Sequence, residues 1–173
     1  MGNYKERLKN ITTFILDYDG VLSDGNILVL ESGEQVRTGW VKDGYALHHA
    51  LKRGYRVAII SGGTSPAIAK RCQSIGITDI FTGVTNKILV FDEYLKREKI
   101  TADEVLYIGD DIPDYKVMQQ VGVAVCPADA AEEIKSIATY ISAFGGGFGC
   151  VRDVVEQVLK VRNDWMTDDA FDW

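Results

Sequence analysis

Apolar positions along the chain fall into two interleaved patterns. Short β-branched runs ending in Gly or Asp recur at 12–18, 55–61, 105–109 and 122–126. Helical periodicity fills the stretches between them, at 44–52, 66–74, 87–99, 113–120, 130–137 and 151–161. Strands that alternate with helices imply a parallel sheet covered by helices, so the expected fold class is α/β, a Rossmann-like three-layer sandwich with a mainly parallel sheet. Pro66 and Pro113 suit a first helical turn, where a missing N–H is harmless.

One stretch breaks the alternation. Residues 26–30 and 35–40 flank Glu31-Ser32-Gly33-Glu34 and read as a β-hairpin inserted at about 24–40, between the first strand and the first helix. It is too short for a domain, so it is expected as a small flap. Repeats and low-complexity tracts are absent apart from the glycine cluster at 145–149. The final residues, about 163–173, are acidic with two tryptophans and are expected to be a flexible tail without a fixed fold.

Composition narrows the classes. At 173 residues and 46% hydrophobic, the chain suits one domain spanning 1–173. No apolar run reaches the roughly 18 residues of a membrane span, and the charged start lacks a signal-peptide core. A soluble cytoplasmic protein with no membrane partner is expected. The formal charge of -6 argues against nucleic acid, which requires clustered Lys and Arg. A small anionic substrate is compatible with it, provided the cleft carries its own positive charge. Cys72, Cys126 and Cys150 are odd in number and widely spaced, which suggests reduced thiols.

In an open parallel sheet, ligands bind beyond the C-terminal ends of the strands. The residues there are Asp17-Tyr18-Asp19-Gly20, Ser61-Gly62-Gly63-Thr64, and Gly109-Asp110-Asp111 with Asp114; Lys87 opens a middle helix. Each acidic turn alone is an ordinary helix cap. Together, Asp17, Asp19, Asp110, Asp111 and Asp114 would repel one another unless a hard cation neutralised them, and carboxylate oxygens suit Mg²⁺.

This order of motifs, DYDGV at 17–21, Ser61, Lys87 and GDDIPD at 109–114, resembles the haloacid dehalogenase superfamily over nearly the whole chain. The resemblance implies Asp17 as the nucleophile that becomes an aspartyl-phosphate, and Asp19 as general acid–base. Residues i and i+2 of an extended segment point the same way, so both carboxylates can reach one phosphoryl group. It further implies Mg²⁺ held by the Asp17 and Asp110 carboxylates and the Asp19 backbone carbonyl, with Asp111 and Asp114 behind them. Ser61 and the Gly62 N–H would hold phosphate oxygens, and Lys87 would neutralise charge.

Only about 40 residues separate Asp17 from the second strand, so the hairpin stands in place of a cap domain. With VLSDG at 21–25, VKDGY at 41–45 and GGGFGCVRD at 145–153, the chain resembles the capless branch acting on phosphorylated keto-deoxy sugar acids. An eight-carbon octulosonate phosphate of lipopolysaccharide sugar synthesis is the expected substrate, with a nine-carbon 9-phosphate as the alternative. That branch commonly carries arginine where Gly63 and Phe148 stand. Lys42 and Arg152, with Lys70 and Arg71, are then the candidates to meet the sugar carboxylate. The resemblance also implies a homotetramer whose hairpins meet centrally and whose active sites lie at subunit interfaces.

Other readings compete at particular residues. A phosphoacceptor signalling domain shares an acidic pocket and a lysine but lacks the acid–base that Asp19 supplies. A noncatalytic scaffold would be expected to have lost members of the acid cluster. His48 and His49 point in different directions on one helix, so a shared site is not expected of them. Cys126 reads as a small buried hydrophobe. Trp40 and Tyr45 are expected to pack the hairpin or a subunit interface.

Overall fold

The computed structural model describes residues 4–172. A short helix α1 (Tyr4–Leu8) leads into β1 (Thr13–Leu16), followed by the hairpin strands β2 (Leu28–Val29) and β3 (Gln35–Val36). Then come α2 (Val41–Lys52), β4 (Arg56–Ile60), α3 (Pro66–Ile75), β5 (Asp79–Phe81), α4 (Lys87–Glu98) and β6 (Val105–Ile108). The chain continues through α5 (Tyr115–Met118), β7 (Val123–Cys126), α6 (Glu132–Ile137), β8 (Tyr140–Ile141) and α7 (Cys150–Val161).

Six strands pair in the order β5-β4-β1-β6-β7-β8, and every pairing is parallel. The central runs are apolar at successive positions because each strand is buried on both faces. Phe14, Leu16, Val57, Ile59, Leu106, Ile108, Val123 and Val125 enter one core with residues of α2, α3 and α7. Their alternates Ile15, Ala58, Ile60, Val105, Tyr107, Ala124 and Cys126 enter the other, beneath α4, α5 and α6. The three-layer sandwich follows from that alternation.

After β1 the chain builds β4 and β5 on one side, then returns to place β6, β7 and β8 on the other. The direction of winding therefore reverses beside β1, and the crevice at the C-terminal ends of β1, β4 and β6 is where a ligand fits.

Several expectations are revised. The edge strands β5 and β8 escape sequence reading because runs of three and two residues are too short to show a period. The helix expected at 113–120 is a 3₁₀ turn at Ile112–Asp114 followed by α5, because Asp111 and Asp114 form a capping box. The glycine cluster at 145–149 is packed into its own chain. A Cβ on Gly146 would lie 2.0 Å from the Gly20 carbonyl oxygen, so only glycine lets the two backbones approach. The Gly146 N–H donates to Asp129 Oδ1 at 2.9 Å and the Gly147 N–H to the Val21 carbonyl at 2.9 Å.

The C-terminal segment also departs from expectation, for it docks on α2. Trp165 is buried, edge-on to Tyr45 and His49 and beneath the Arg152 guanidinium, 5.1 Å from its ring. Tyr45 and Lys52 donate to the Ala170 and Asp169 carbonyls, while Arg53 and Tyr55 donate to the Asp164 carboxylate. A segment rich in acids finds its fold in the basic and aromatic residues of α2 and the turn after it. Residue 173 lies outside the described residues. His49 is buried with Nε2 3.0 Å from the Asp164 carbonyl, and His48 Nδ1 is 2.8 Å from the Ile75 carbonyl, so both imidazoles serve packing. Cys72, Cys126 and Cys150 are buried free thiols. Among the described residues no helix is long and apolar enough to cross a membrane.

Candidate active site

Strand geometry brings the sequence candidates to one crevice. Asp17 directly follows β1, Ser61 follows β4, Asp110 lies two residues past β6, and Lys87 is the first residue of α4. The Asp17 N–H continues the ladder to the Ile108 carbonyl (3.0 Å), and the Ser61 N–H does so to the Phe81 carbonyl (2.9 Å). Each side chain is thus fixed by a strand that has just ended. Asp17, Asp19, Ser61, Gly62, Lys87, Asp110 and Asp111 line a cavity of about 350 Å³, which suits a small metabolite.

A buried charge network forms its floor. Lys87 Nζ lies 2.5 Å from Asp17 Oδ2 and 2.7 Å from Asp114 Oδ1, with 4% of the lysine side chain exposed. The fully buried Asp114 also accepts from the Tyr107 hydroxyl at 2.5 Å and from the Asp110 N–H at 3.2 Å. Burial, then the Asp114 charge, pushes Asp17 up to about 6, against the pull of Lys87. Burial and the Asp17 and Asp114 charges push Asp110 up to about 7. Burial works against the Lys87 charge, but Asp114 and Asp17 outweigh it and hold the ammonium above its usual range.

One ammonium does not balance these acids. Carboxylate oxygens of Asp17, Asp110 and Asp114 lie within 4.8 Å of one another, an all-oxygen donor set that suits a hard divalent cation. Asp114 is already occupied by Lys87, Tyr107 and the Asp110 N–H, so Asp17 and Asp110 are the carboxylates with capacity for a metal. Gly20 keeps the space beside them: a Cβ there would lie 2.0 Å from Asp110 Oδ2.

The remaining candidates divide. The Asp19 carboxylate lines the cavity and is engaged outside the acid cluster, accepting from Arg37 Nε (2.6 Å), Arg37 Nη2 (3.1 Å) and Ser23 Oγ (3.2 Å). Asp19 can therefore offer a metal its backbone carbonyl but not this carboxylate. Exposed Asp111 caps the following turn, accepting from the Ile112 N–H at 2.8 Å. Ser61 Oγ accepts from the Gly63 N–H at 3.1 Å and faces the cavity.

Lys42 and Arg152 are not brought to this cavity. Both line a separate groove with Trp40, Phe144 and Phe148, and Arg152 is paired with Glu156 at 3.1 Å while lying over Trp165 and Tyr45. Neither is among the residues that line the Asp17 cavity. The VKDG segment has a different use: buried Asp43 accepts from the Arg152 N–H at 2.7 Å and caps α7.

Sequence reasoning missed Arg37 and Tyr107. Arg37 follows an exposed two-residue strand with no pattern pointing inward, whereas Tyr107 was legible only as a buried strand residue. Their partners are 18 and 7 residues away along the chain, and neither spacing signals contact.

The profile of the haloacid dehalogenase-like hydrolases matches residues 68–145. The 3-deoxy-D-manno-octulosonate 8-phosphate phosphatase of Escherichia coli K12 is 39% identical over 156 residues, covering 90% of this chain and 83% of that protein. The crystal structure of the Moraxella catarrhalis enzyme of the same name, in complex with magnesium, phosphate and the sugar acid KDO, superposes with a TM-score of 0.91. It is 33% identical and covers 96% of this chain and 94% of that one. A cobalt-bound Haemophilus influenzae octulosonate 8-phosphate phosphatase gives a TM-score of 0.89 at 29% identity, covering 95% of this chain and 98% of that one.

Proposed function

This chain belongs to the haloacid dehalogenase-like hydrolases, and from that premise we infer that it hydrolyses 3-deoxy-D-manno-octulosonate 8-phosphate to the free sugar acid and phosphate. The observation that carries the chemistry is Asp17 at the floor of the cleft, paired with buried Lys87 and beside Asp110 at the sheet's switch point.

An Asp17 oxygen forms the bond to phosphorus while the bond from phosphorus to the sugar oxygen breaks. The departing oxygen takes its proton from Asp19. Water then attacks phosphorus, giving a proton to Asp19, and the bond between Asp17 and phosphorus breaks to release phosphate. Ser61 and the Gly62 N–H hold phosphate oxygens, and Lys87 offsets the charge that Asp17 and the phosphoryl group share. Asp17, Asp110 and the Asp19 carbonyl would hold Mg²⁺, which when bound would further neutralise the phosphoryl oxygens. Asp114 orients Lys87, and Asp111 shapes the turn that carries Asp110.

The chain assembles as a homotetramer through its hairpin. Supporting this, Ile27, Leu28, Val29, Leu30 and Val36 are all exposed on one small flap, a row of apolar side chains that a second copy would cover. In such an assembly Lys42 and Arg152 of one subunit can serve the cleft of another, which accommodates their place in a separate groove. Three buried unpaired cysteines suit a reducing compartment, the cytoplasm.

The test is Mg²⁺-dependent phosphate release, comparing the eight-carbon and nine-carbon sugar-acid phosphates with hexose phosphates and using Asp17→Asn as the blank. The octulosonate phosphate is expected to lead in kcat/KM by at least about tenfold. A lead for the nine-carbon acid would move the substrate assignment, and no metal-dependent turnover of any of them would overturn the phosphatase reading.

A further inference from the structure

We propose that Arg37 is a positioning residue for proton transfer, so that the hairpin is part of the catalytic apparatus as well as a surface for assembly. This rests on the phosphatase reading above.

Arg37 immediately follows β3, and its guanidinium reaches back 18 residues along the chain to grip Asp19 with two nitrogens. The two contacts differ. Nε meets Oδ1 at 2.6 Å, and Ser23 Oγ adds a second donor to that oxygen at 3.2 Å. Oδ2 has only the longer 3.1 Å contact from Nη2. Oδ2 is also the oxygen on the phosphate-loop side, since a Cβ on Gly63 would lie 3.1 Å from it and 3.4 Å from Ser61 Oγ. One oxygen is anchored, and the other, less heavily bonded, is the one beside Gly63 and Ser61. A carboxyl that must deliver a proton along one line needs this division, because a carboxylate oxygen retains an acceptor site for the anchor while its partner carries the proton.

A purely structural role explains the arrangement less well. Only 4% of the Arg37 side chain is exposed, and its third nitrogen, Nη1, is buried without a partner. Burying a guanidinium with a donor unmet is costly, and an apolar residue would tie down a surface flap at lower cost. The pair ties the residue after β3 to Asp19, whose side chain lines the cavity with Asp17 and Asp110.

The experiment compares single-turnover release of two leaving groups by wild type, Arg37→Gln and Arg37→Lys. One substrate is the sugar-acid phosphate, an alkyl ester whose departing oxygen needs a proton. The other is p-nitrophenyl phosphate, whose leaving group is stable as the anion and needs none. Arg37→Gln is expected to slow release from the alkyl ester roughly 100-fold, at least about fivefold more than from the aryl ester. Arg37→Lys, which restores the charge but not the two-point grip, should recover part of that selective loss; it also decides the matter if Arg37→Gln does not fold. Losses whose ratio stays under about fivefold, whether both rates fall together or neither does, would overturn the proposal. Failure of the wild type on both esters would instead remove the phosphatase reading.

Discussion

The Lys87 ammonium stands between two carboxylates, 2.5 Å from Asp17 and 2.7 Å from Asp114, with 4% of its side chain exposed. Asp17 and Asp114 share the positive charge that makes their burial tolerable. Replacing Lys87 by Met, of similar length, leaves both acids buried without it. Chemical denaturation at pH 7.5 without metal is expected to show a loss of about 3–5 kcal/mol. Phosphate release by the same variant should fall at least about 100-fold. Wild-type stability in Lys87→Met would contradict the charge balance described here.

The acid cluster makes the metal-free protein pH-sensitive in a defined direction. Asp17 and Asp110 are raised to about 6 and about 7, above the carboxylate range of an unfolded chain. The folded state therefore binds protons more readily than the unfolded state, and stability declines as pH rises from about 4 through 7. The penalty is complete only about one pH unit above the raised Asp110 value, near pH 8. Thermal melts in chelator should give a higher midpoint at pH 6 than at pH 8. Added Mg²⁺ should raise the midpoint more at pH 8 than at pH 6, because ligation needs deprotonated acids. Equal Mg²⁺ shifts at both values would place the cation elsewhere.

Leu28 and Val29 are each 62% exposed on the hairpin. Charged replacements there remove no core contact within one chain, so Leu28→Asp with Val29→Asp should leave the circular dichroism spectrum unchanged. Light scattering should report a smaller species than the wild type, which is expected at the mass of the proposed tetramer. If the double variant keeps the mass of the wild type, the hairpin is not the assembly surface.

Trp165 is 7% exposed and packs against Tyr45, His49 and Arg152. Trp165→Ala should destabilise the protein by about 3 kcal/mol and lower its melting temperature by roughly 6–12 °C. Backbone amide exchange should quicken across 164–171 in that variant. Unchanged exchange there would mean that the segment is held by its hydrogen bonds alone.

The order of strands and helices was legible because it depends on local pattern. Uninterrupted apolar runs at β1, β4, β6 and β7 mark strands buried on both faces, and Gly or Asp at their ends marks the turn into the crevice. Asp17, Ser61, Lys87 and Asp110 stand together for that reason. β5 and β8 were not legible, since edge strands of three and two residues carry little periodicity. The tail at 164–171 reads as loop by composition, yet its backbone and Trp165 are satisfied by α2 and Arg152, whose proximity no local pattern announces.

By itself, then, the sequence determined the parallel α/β sandwich, the hairpin and the set of acids at the strand ends, because period and turn chemistry act over a few residues. Only the tertiary structure decided which charges meet. It sent Arg37 to Asp19, gave Asp114 to Lys87 and Tyr107, and carried Lys42 and Arg152 into a groove away from Asp17. Those pairings depend on how the hairpin, helices and sheet pack against one another, and side chains far apart in the chain choose partners only once that packing exists.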